Sequence, residues 1–279
     1  MHSNTLISIV IPCYNDAQYI EQSVNSALNQ TYLNKEVIVV DDGSNAETKA
    51  VLKNLEPKIT KLITQENQGQ STARNVGIKE AKGDYILVLD SDDYFEPSFC
   101  EKAVDVFFNN FEVKLVTCQA NLIFEDGHIT VYKPGGGTID SFLFVSQALG
   151  SSMFKKPDWG LVGGYDEKMK SGWEDWEFYI RLLKKGGVAH VLAEPLFNYR
   201  KRINSTTTVA NSVKYELLEY VIFKHQKLYI QNFDKTLKYL LKITKKNKEN
   251  ELKRINSIDY QIGKFLLKPF RIVKTIFIK

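Results

Sequence analysis

Four strand-like runs alternate with helix-like segments through the first hundred residues, and this alternation leaves little choice of architecture. The runs are LISIVI (6–11), EVIVV (36–40), KLITQ (61–65) and YILVL (85–89). Side chains on a strand point alternately to opposite faces, so an unbroken apolar run must be covered on both sides. Between the runs, residues 17–29 place Ile20, Val24, Ala27 and Leu28 on one helical side. Ser44-Asn45-Ala46-Glu47 has the pattern of a capping box opening a helix to about Leu55. Residues 70–82 read as a helix closed by Gly83, and Pro97 suits the first turn of a helix to about Asn110. The pattern predicts an α/β fold, a parallel sheet covered on both faces, with right-handed crossovers.

Beyond residue 110 the pattern is looser. KLVTCQANLIF (114–124) reads as a strand, with GHITVYK (127–133) returning as a hairpin and PGGGT (134–138) as a flexible loop. EDWEFYIRLLKK (174–185) reads as an amphipathic helix with Trp176, Tyr179, Ile180 and Leu183 on its apolar stripe. Glu177 and Arg181 are spaced to pair on the other face. VAHVLAEPLFNYR (188–200) reads as a last strand, and the chain from 211 reads as helical.

Charge divides the 279 residues unevenly. Residues 211–279 carry 16 Lys/Arg against 6 Asp/Glu, a net +10 within a total of +4, so residues 1–210 carry −6. Two parts are expected: a domain over 1–210 and a basic helical extension over 211–279. Composition is that of a soluble globular protein, 43% apolar and 25% charged. Three cysteines without metal-like spacing argue against a disulfide framework and for a reducing compartment. MHSNTLISIVIP has no basic stretch and no cleavage pattern, so no secretory signal is expected, and no run is apolar enough to span a membrane.

Ligands bind open α/β sheets outside the carboxyl ends of the strands. After the four runs come Pro12-Cys13-Tyr14-Asn15, Asp41-Asp42-Gly43-Ser44, Glu66-Asn67-Gln68-Gly69 and Asp90-Ser91-Asp92-Asp93. Clustered carboxylates repel, and one must take up a proton or find a cation. A calcium loop of EF-hand type fails, because Phe95 stands where the turn needs glycine and a strand leads in. A solvated turn is the plain alternative for an isolated Asp-x-Asp. The third reading is a divalent metal holding phosphates, since Mg²⁺ or Mn²⁺ takes one or two carboxylates and completes its shell with water and phosphate oxygens. The other strand ends suit a nucleotide: Tyr14 can stack on a base, Asp41 or Asp42 can accept from a base N–H or ribose hydroxyls, and Arg74 can reach a phosphate or sugar oxygen.

SIVIPCYN, VIVVDDGS, NQGQSTARNVGIKEAKGDYILVLDSDD, GGYDE and GWEDWEFYIRLLKKG fall in order across residues 7–187. With these pieces at these spacings the chain resembles family 2 glycosyltransferases of the GT-A fold, which implies an α/β fold of three layers, α/β/α, with a mostly parallel mixed sheet. The resemblance implies an inverting, hexosyltransferase-type enzyme that uses a nucleotide-diphospho-sugar, usually UDP-linked, with Mn²⁺ or Mg²⁺. Carried over by position, Pro12 and Tyr14 would line the base pocket, and Asp42, with Asp41 beside it, would bond the base edge. Gly69 and Arg74 would lie along the donor. Asp90, Ser91 and Asp92 would form the Asp-x-Asp element, Asp92 ahead of Asp90 as direct metal ligand. Asp175 would be the catalytic base, with Trp173 and Glu174 toward the acceptor.

Inverting transfer needs two separate acidic elements. A carboxylate must take the acceptor's proton on the face opposite the leaving group, and a metal must stabilise the charge growing on the departing diphosphate. Asp175, in the first turn of its helix, would be held ionised by the helix dipole, although acids are common there for stability alone. The sequence departs from the resembled pattern at Tyr199-Arg200-Lys201-Arg202, where Arg202 stands in place of a metal-binding His. Arginine cannot ligate a metal, so either the metal has fewer protein ligands or Arg200 and Arg202 hold the diphosphate. INSTTT (203–208) could close over the donor or be a solvated loop. His190, in an apolar strand, reads as structural.

KFLLKPFRIVKTIFIK (264–279) gathers Lys264, Lys268, Arg271 and Lys274 on one helical face, which suits an anionic membrane surface; a C-terminal helix with solvated lysines is the alternative. No nucleic-acid-reading motif is present. The expected role is addition of a sugar to a saccharide or lipid-linked acceptor in surface polysaccharide synthesis. The expected place is the cytoplasm, peripheral on the inner face of a bacterial membrane. The alternatives are a polyprenyl-phosphate glycosyltransferase and a non-catalytic nucleotide-sugar-binding protein.

Overall fold

In a computed structural model, which describes residues 5–203 and 205–277 with side chains to residue 267, the four runs become parallel strands. These are β1 (Ile7–Cys13), β2 (Lys35–Asp42), β3 (Lys61–Gln65) and β4 (Tyr85–Val88), joined by α1 (Ile20–Leu28), α2 (Ala46–Leu55) and α3 (Gln70–Glu80). The capping of α2 differs from the expected box. Asn45 is the N-cap and accepts the Thr48 N–H at 2.9 Å, whereas the Ser44 hydroxyl accepts the Asn15 N–H at 3.1 Å. Ser44 thereby ties together the loops that follow β1 and β2.

Two short strands escape the apolar pattern, β5 (Tyr94–Phe95) and β8 (Met153–Lys155). With α4 (Phe99–Asn109), β6 (Val113–Phe124), β7 (Ile129–Tyr132) and β9 (Val188–Lys201) they complete one mixed sheet in the order β3-β2-β1-β4-β8-β6-β9-β5, with β7 paired to β6. β8 runs antiparallel to both β4 and β6, a single reversed strand between two that run the same way. β6 and β7 form the expected hairpin. The helices α5 (Ile139–Phe142), α6 (Lys156–Val162) and α7 (Glu174–Leu183) follow β7 and precede β9. The three cysteines are buried and free.

Close packing of α3 fixes the geometry of the strand ends. A Cβ on Gly77 would lie 2.5 Å from Val10 Cγ1 and 3.0 Å from Val40 Cγ2. Only glycine lets α3 lie this near β1 and β2, which brings its first turn over the carboxyl edge of the sheet.

α7 is buried almost all round, unlike the half-solvated helix expected. Glu177 is wholly buried, and its carboxylate accepts Arg181 Nε at 2.9 Å and Nη2 at 2.6 Å. Arg181 also donates to the carbonyls of Val162 (2.7 Å) and Gly164 (2.5 Å). A second cation arrives from far along the chain. α8 (Thr206–Ser212) and α9 (Lys214–Lys224) follow β9, and Lys224 Nζ sits 2.9 Å from Glu177 and 2.5 Å from Asp166. Tyr220 donates to the same Asp166 oxygen at 2.8 Å. Leu217 and Val221 are buried beside them. The first compact unit therefore ends at Lys224, past the boundary at 210 that charge suggested.

The second unit begins at His225 and contains α10 (Gln226–Gln231), α11 (Phe233–Ile255) and α12 (Ile258–Phe277). It is helical, as composition implied. Tyr229 is buried within it, and α11 has no buried residue. Among the described residues no helix is long and apolar enough to cross a membrane.

Candidate active site

The carboxyl ends of β1, β2 and β4, the start of α3, the N-terminus of α7 and the first turns of α8 surround one cavity of about 670 Å³. Volumes of this size hold drug-sized ligands. Pro12, Tyr14, Asp42, Gly69, Arg74, Asp90, Ser91, Asp92, Trp173, Glu174, Asp175 and Arg202 all line it, so the structure brings together all but two of the residues singled out from sequence.

The two outside the lining are Asp41 and Arg200. Asp41 turns inward, and its Oδ1 accepts the Ser44 N–H at 2.9 Å. Arg200 bonds the Asp92 backbone carbonyl and the Gln22 side chain, and its guanidinium lies 5.0 Å from the ring centres of Tyr19 and Tyr94. It braces the acidic loop from behind.

On the β2 side, Asp42 Oδ1 accepts Gln65 Nε2 at 2.7 Å and the Gln68 N–H at 2.9 Å, while Oδ2 accepts the Gly69 N–H at 2.9 Å. The carboxylate thus shapes the loop into α3 and still faces the cavity. Tyr14 is half exposed above it, free to present a ring face to a ligand.

Arg74 joins the two acidic elements. It is buried, with Nη2 2.7 Å from Asp90 and Nη1 2.5 Å from Glu174. Burial works against its charge, but Asp90 and Glu174 more than offset that. Gln70 adds a bond to Asp90 at 3.1 Å. Glu174 is therefore committed to Arg74, and of the two tryptophans beside Asp175 it is Trp173 that lines the cavity. Trp173 has a left-handed backbone, φ 62°, which aims the α7 N-terminus at the site. Trp176 is core, donating from its indole to the Phe142 carbonyl at 2.6 Å.

Asp175 opens onto the cavity beside Gly150, whose own Cβ would come within 3.1 Å of Asp175 Oδ2. Burial, then the neighbouring Glu174, push its carboxyl up from 3.8 to about 7, against Arg74 and the Trp176 N–H that it accepts at 2.7 Å. The helix dipole, expected to hold the acid ionised, is outweighed. A carboxylate poised near neutrality is well matched to general-base work.

The acidic loop after β4 is crowded. Asp93 is buried, accepts the Arg200 N–H at 2.8 Å and is held well above the usual carboxylate range by burial and by Asp92 and Asp90. Ser91 donates to Asp16 Oδ2 at 2.5 Å. Asp92 pairs with Arg202 Nη2 at 2.5 Å, and Arg202 Nη1 reaches Asp16 at 2.9 Å. Even with that guanidinium, burial and Asp90 push Asp92 up to about 6. The loop holds more negative charge than its own cations neutralise, which fits a divalent metal. Among the described residues no three His, Cys, Asp or Glu side chains cluster tightly enough to hold one alone, so ligand oxygens would have to complete the shell.

Asp16, Gln70 and Lys170 also line the cavity and were not anticipated. Asp16 follows the Tyr14-Asn15 turn directly, and its carboxylate was the available signal. α8 supplies Ser205, Thr206, Thr207 and Ala210 to the lining. Thr207 bonds Tyr199 at 2.8 Å, and Gly172, at φ +109°, lies so close that a Cβ there would meet Ala210 Cβ at 2.8 Å. The segment expected to close over the site is thus a short helix from Thr206; Asn204 lies outside the described residues.

The profile of glycosyl transferase family 2 matches residues 8–133. An uncharacterized glycosyltransferase of Haemophilus influenzae is 30% identical over 248 residues, 85% of this chain and 83% of that protein. Chondroitin synthase of Pasteurella multocida is 32% identical over 196 residues, 68% of this chain, but the chain spans only 20% of that protein's length. Among solved structures, Staphylococcus aureus TarS residues 1–349 in complex with UDP-GlcNAc superposes with a TM-score of 0.62 at 20% identity, over 72% of this chain and 60% of that one. At that identity the likeness establishes the GT-A fold. The chain belongs to glycosyltransferase family 2.

Proposed function

We propose that the protein is an inverting glycosyltransferase that moves a sugar from a nucleotide-diphospho-sugar, UDP-linked, to a saccharide or lipid-linked acceptor in surface polysaccharide synthesis. The observation that carries this is the division of one cavity between two acidic elements. Asp90 and Asp92 lie at the end of the sheet, Asp175 at the N-terminus of α7, and Arg74 keeps them apart by pairing with both Asp90 and Glu174. The UDP-GlcNAc bound by TarS and the polysaccharide named in chondroitin synthase support donor and product class.

In this reading the base packs against Tyr14, with Asp42 accepting from its edge or from the ribose. Asp90 and Asp92 would hold Mn²⁺ or Mg²⁺, which when bound supplies Lewis-acid stabilisation of the leaving diphosphate. Arg202, paired with Asp92, would be the side chain placed to bond phosphate oxygens when a metal takes up that carboxylate. Asp175 takes the proton of the acceptor hydroxyl at its carboxylate as that oxygen attacks the anomeric carbon. Trp173 offers the acceptor sugar an aromatic face, and α8 covers the site from water. The protein works on the cytoplasmic face of a bacterial membrane, held there by its basic C-terminal segment. Within 264–279, the side chains from residue 268 on lie outside those described.

The test is thermal stabilisation by UDP, GDP and CDP, each with and without Mn²⁺, on wild type and Asp92→Ala. A ligand that binds the native state must raise the melting temperature. A metal-dependent shift with UDP, lost in the variant, is expected. No shift with any nucleotide overturns the donor site. A shift without release of UDP from any UDP-sugar would mark a binding protein that does not turn over.

A further inference from the structure

α11 is a 23-residue helix, about 35 Å long at 1.5 Å per residue, in which no side chain is buried. Its apolar residues are nevertheless ordered. Phe233, Leu237, Leu240 and Leu241 recur at i, i+4, i+7 and i+8, which sets them on one face, and Phe233 and Leu241 are 62% and 60% exposed. Lys242, Lys246 and Lys253 fall on the opposite side, with Lys238 and Lys245 on its flank. α12 repeats the spacing with Ile258, Ile262, Phe265 and Leu266, all exposed. Leu237 and Leu240 are 43% and 42% exposed, so two consecutive helices present apolar stripes that are exposed over much of their surface.

We propose that α11, continued by the first turns of α12, is an interfacial helix that lies in the surface of an anionic lipid bilayer. Charge selects this occupant. Residues 225–279 carry 14 Lys/Arg against 4 Asp/Glu, so a second copy of the chain would bring its own net +10 against an equal charge. An anionic surface is instead attracted by each lysine near it. The apolar stripe sinks below the headgroups while the lysines opposite reach back up to the phosphates along their flexible stems. Asp/Glu residues interrupt the cationic face little, with only Asp234, Glu249 and Glu251 in α11. The catalytic unit has the reverse sign, net −6 over residues 1–224, so the attraction is confined to the second unit.

The inference deepens the membrane-surface part of the proposed function and locates it in α11, ahead of the terminal segment; it does not depend on the donor chemistry. The experiment is sedimentation of the full-length protein with extruded vesicles, without nucleotide or metal. Vesicles of phosphatidylcholine with about one third phosphatidylglycerol should bind it, vesicles of phosphatidylcholine alone at least about tenfold less. Binding should fall steeply between low and high salt. Leu237→Ser/Leu240→Ser/Leu241→Ser, at exposed positions that leave the melting temperature unchanged, should weaken binding about tenfold or more. Lys238→Glu/Lys242→Glu/Lys245→Glu should abolish the preference for anionic vesicles.

Binding indifferent to lipid charge, or unchanged in both triple variants, overturns the proposal. So does a concentration-dependent dimer in sedimentation velocity that the leucine variant dissolves, because the stripe would then belong to a second copy. Failure of UDP to stabilise the protein would sink the donor site and leave the vesicle result standing.

Discussion

Replacing Asp175 with asparagine should stabilise the protein while stopping transfer, and the gain should depend on pH. The unfolded chain ionises this carboxyl near 3.8, the folded one near 7. Between those values the native state binds the extra proton, so stability falls as pH rises, and the full penalty is present above pH 7. Asparagine keeps the acceptor for the Trp176 N–H and has no charge to bury. The gain should be roughly 2 kcal/mol at pH 5 and roughly 4 kcal/mol at pH 8, upper values because water in the cavity reaches the carboxyl. The assay is urea denaturation of both proteins at the two pH values, followed by tryptophan fluorescence. All three tryptophans (Trp159, Trp173 and Trp176) lie in the first unit, so the signal reports on the unit that holds the site. A gain that is the same at both pH values, or a variant less stable than wild type, would refute the account of how Asp175 is poised. The same shift sets the pH profile of transfer: at pH 6 only about a tenth of Asp175 is ionised, and the rate should rise about tenfold by pH 8.

Arg202→Ala should tighten Mn²⁺ binding in the absence of nucleotide by about fivefold, since a partly exposed pair with Asp92 is worth about 1 kcal/mol; titration by electron paramagnetic resonance checks this, and unchanged affinity counts against Arg202 as a competing cation. Gly77→Ala should destabilise the first unit by about 1–3 kcal/mol, because its Cβ meets Val10 and Val40; a melting temperature equal to wild type would mean that α3 shifts without cost. Lys224→Met should cost about 1–3 kcal/mol, because Glu177 and Asp166 each lose a charge-assisted partner. Urea denaturation measures it, and a midpoint equal to wild type would mean that Arg181 alone satisfies Glu177.

The sheet's carboxyl edge was legible because parallel strands write their burial as unbroken apolar runs and their function in the few residues at the end of each run. β5 and β8 were not, since two or three residues cannot display a period, although β8 is the antiparallel strand that joins β4 to β6. Pair spacing showed that Glu177 and Arg181 would meet but could not show that they meet in the core. That depends on Lys224, 47 residues downstream of Glu177, and on the Val162 and Gly164 carbonyls. Arg200 and Arg202 were both offered as diphosphate holders at the departure from the resembled pattern, which does not say where either side chain points. The strand ends at Lys201, which frees Arg202 to enter the cavity while Arg200 stays clamped behind it. Asp41 and Asp42 diverge for the ordinary reason that neighbours on a strand face opposite ways.

The Lys224 contact also bears on how such a protein can be cut and recombined. The composition changes near residue 210, and a fusion, truncation or natural exchange of C-terminal modules guided by that change would sever α9 from the fold. The half left behind would keep Glu177 wholly buried with one of its two cations gone, and Asp166 stripped of both Lys224 and Tyr220. The first compact unit instead runs through that lysine and the second begins at His225. Modules exchanged there should leave the catalytic unit whole, so the portable part of this enzyme is longer than its charge pattern advertises.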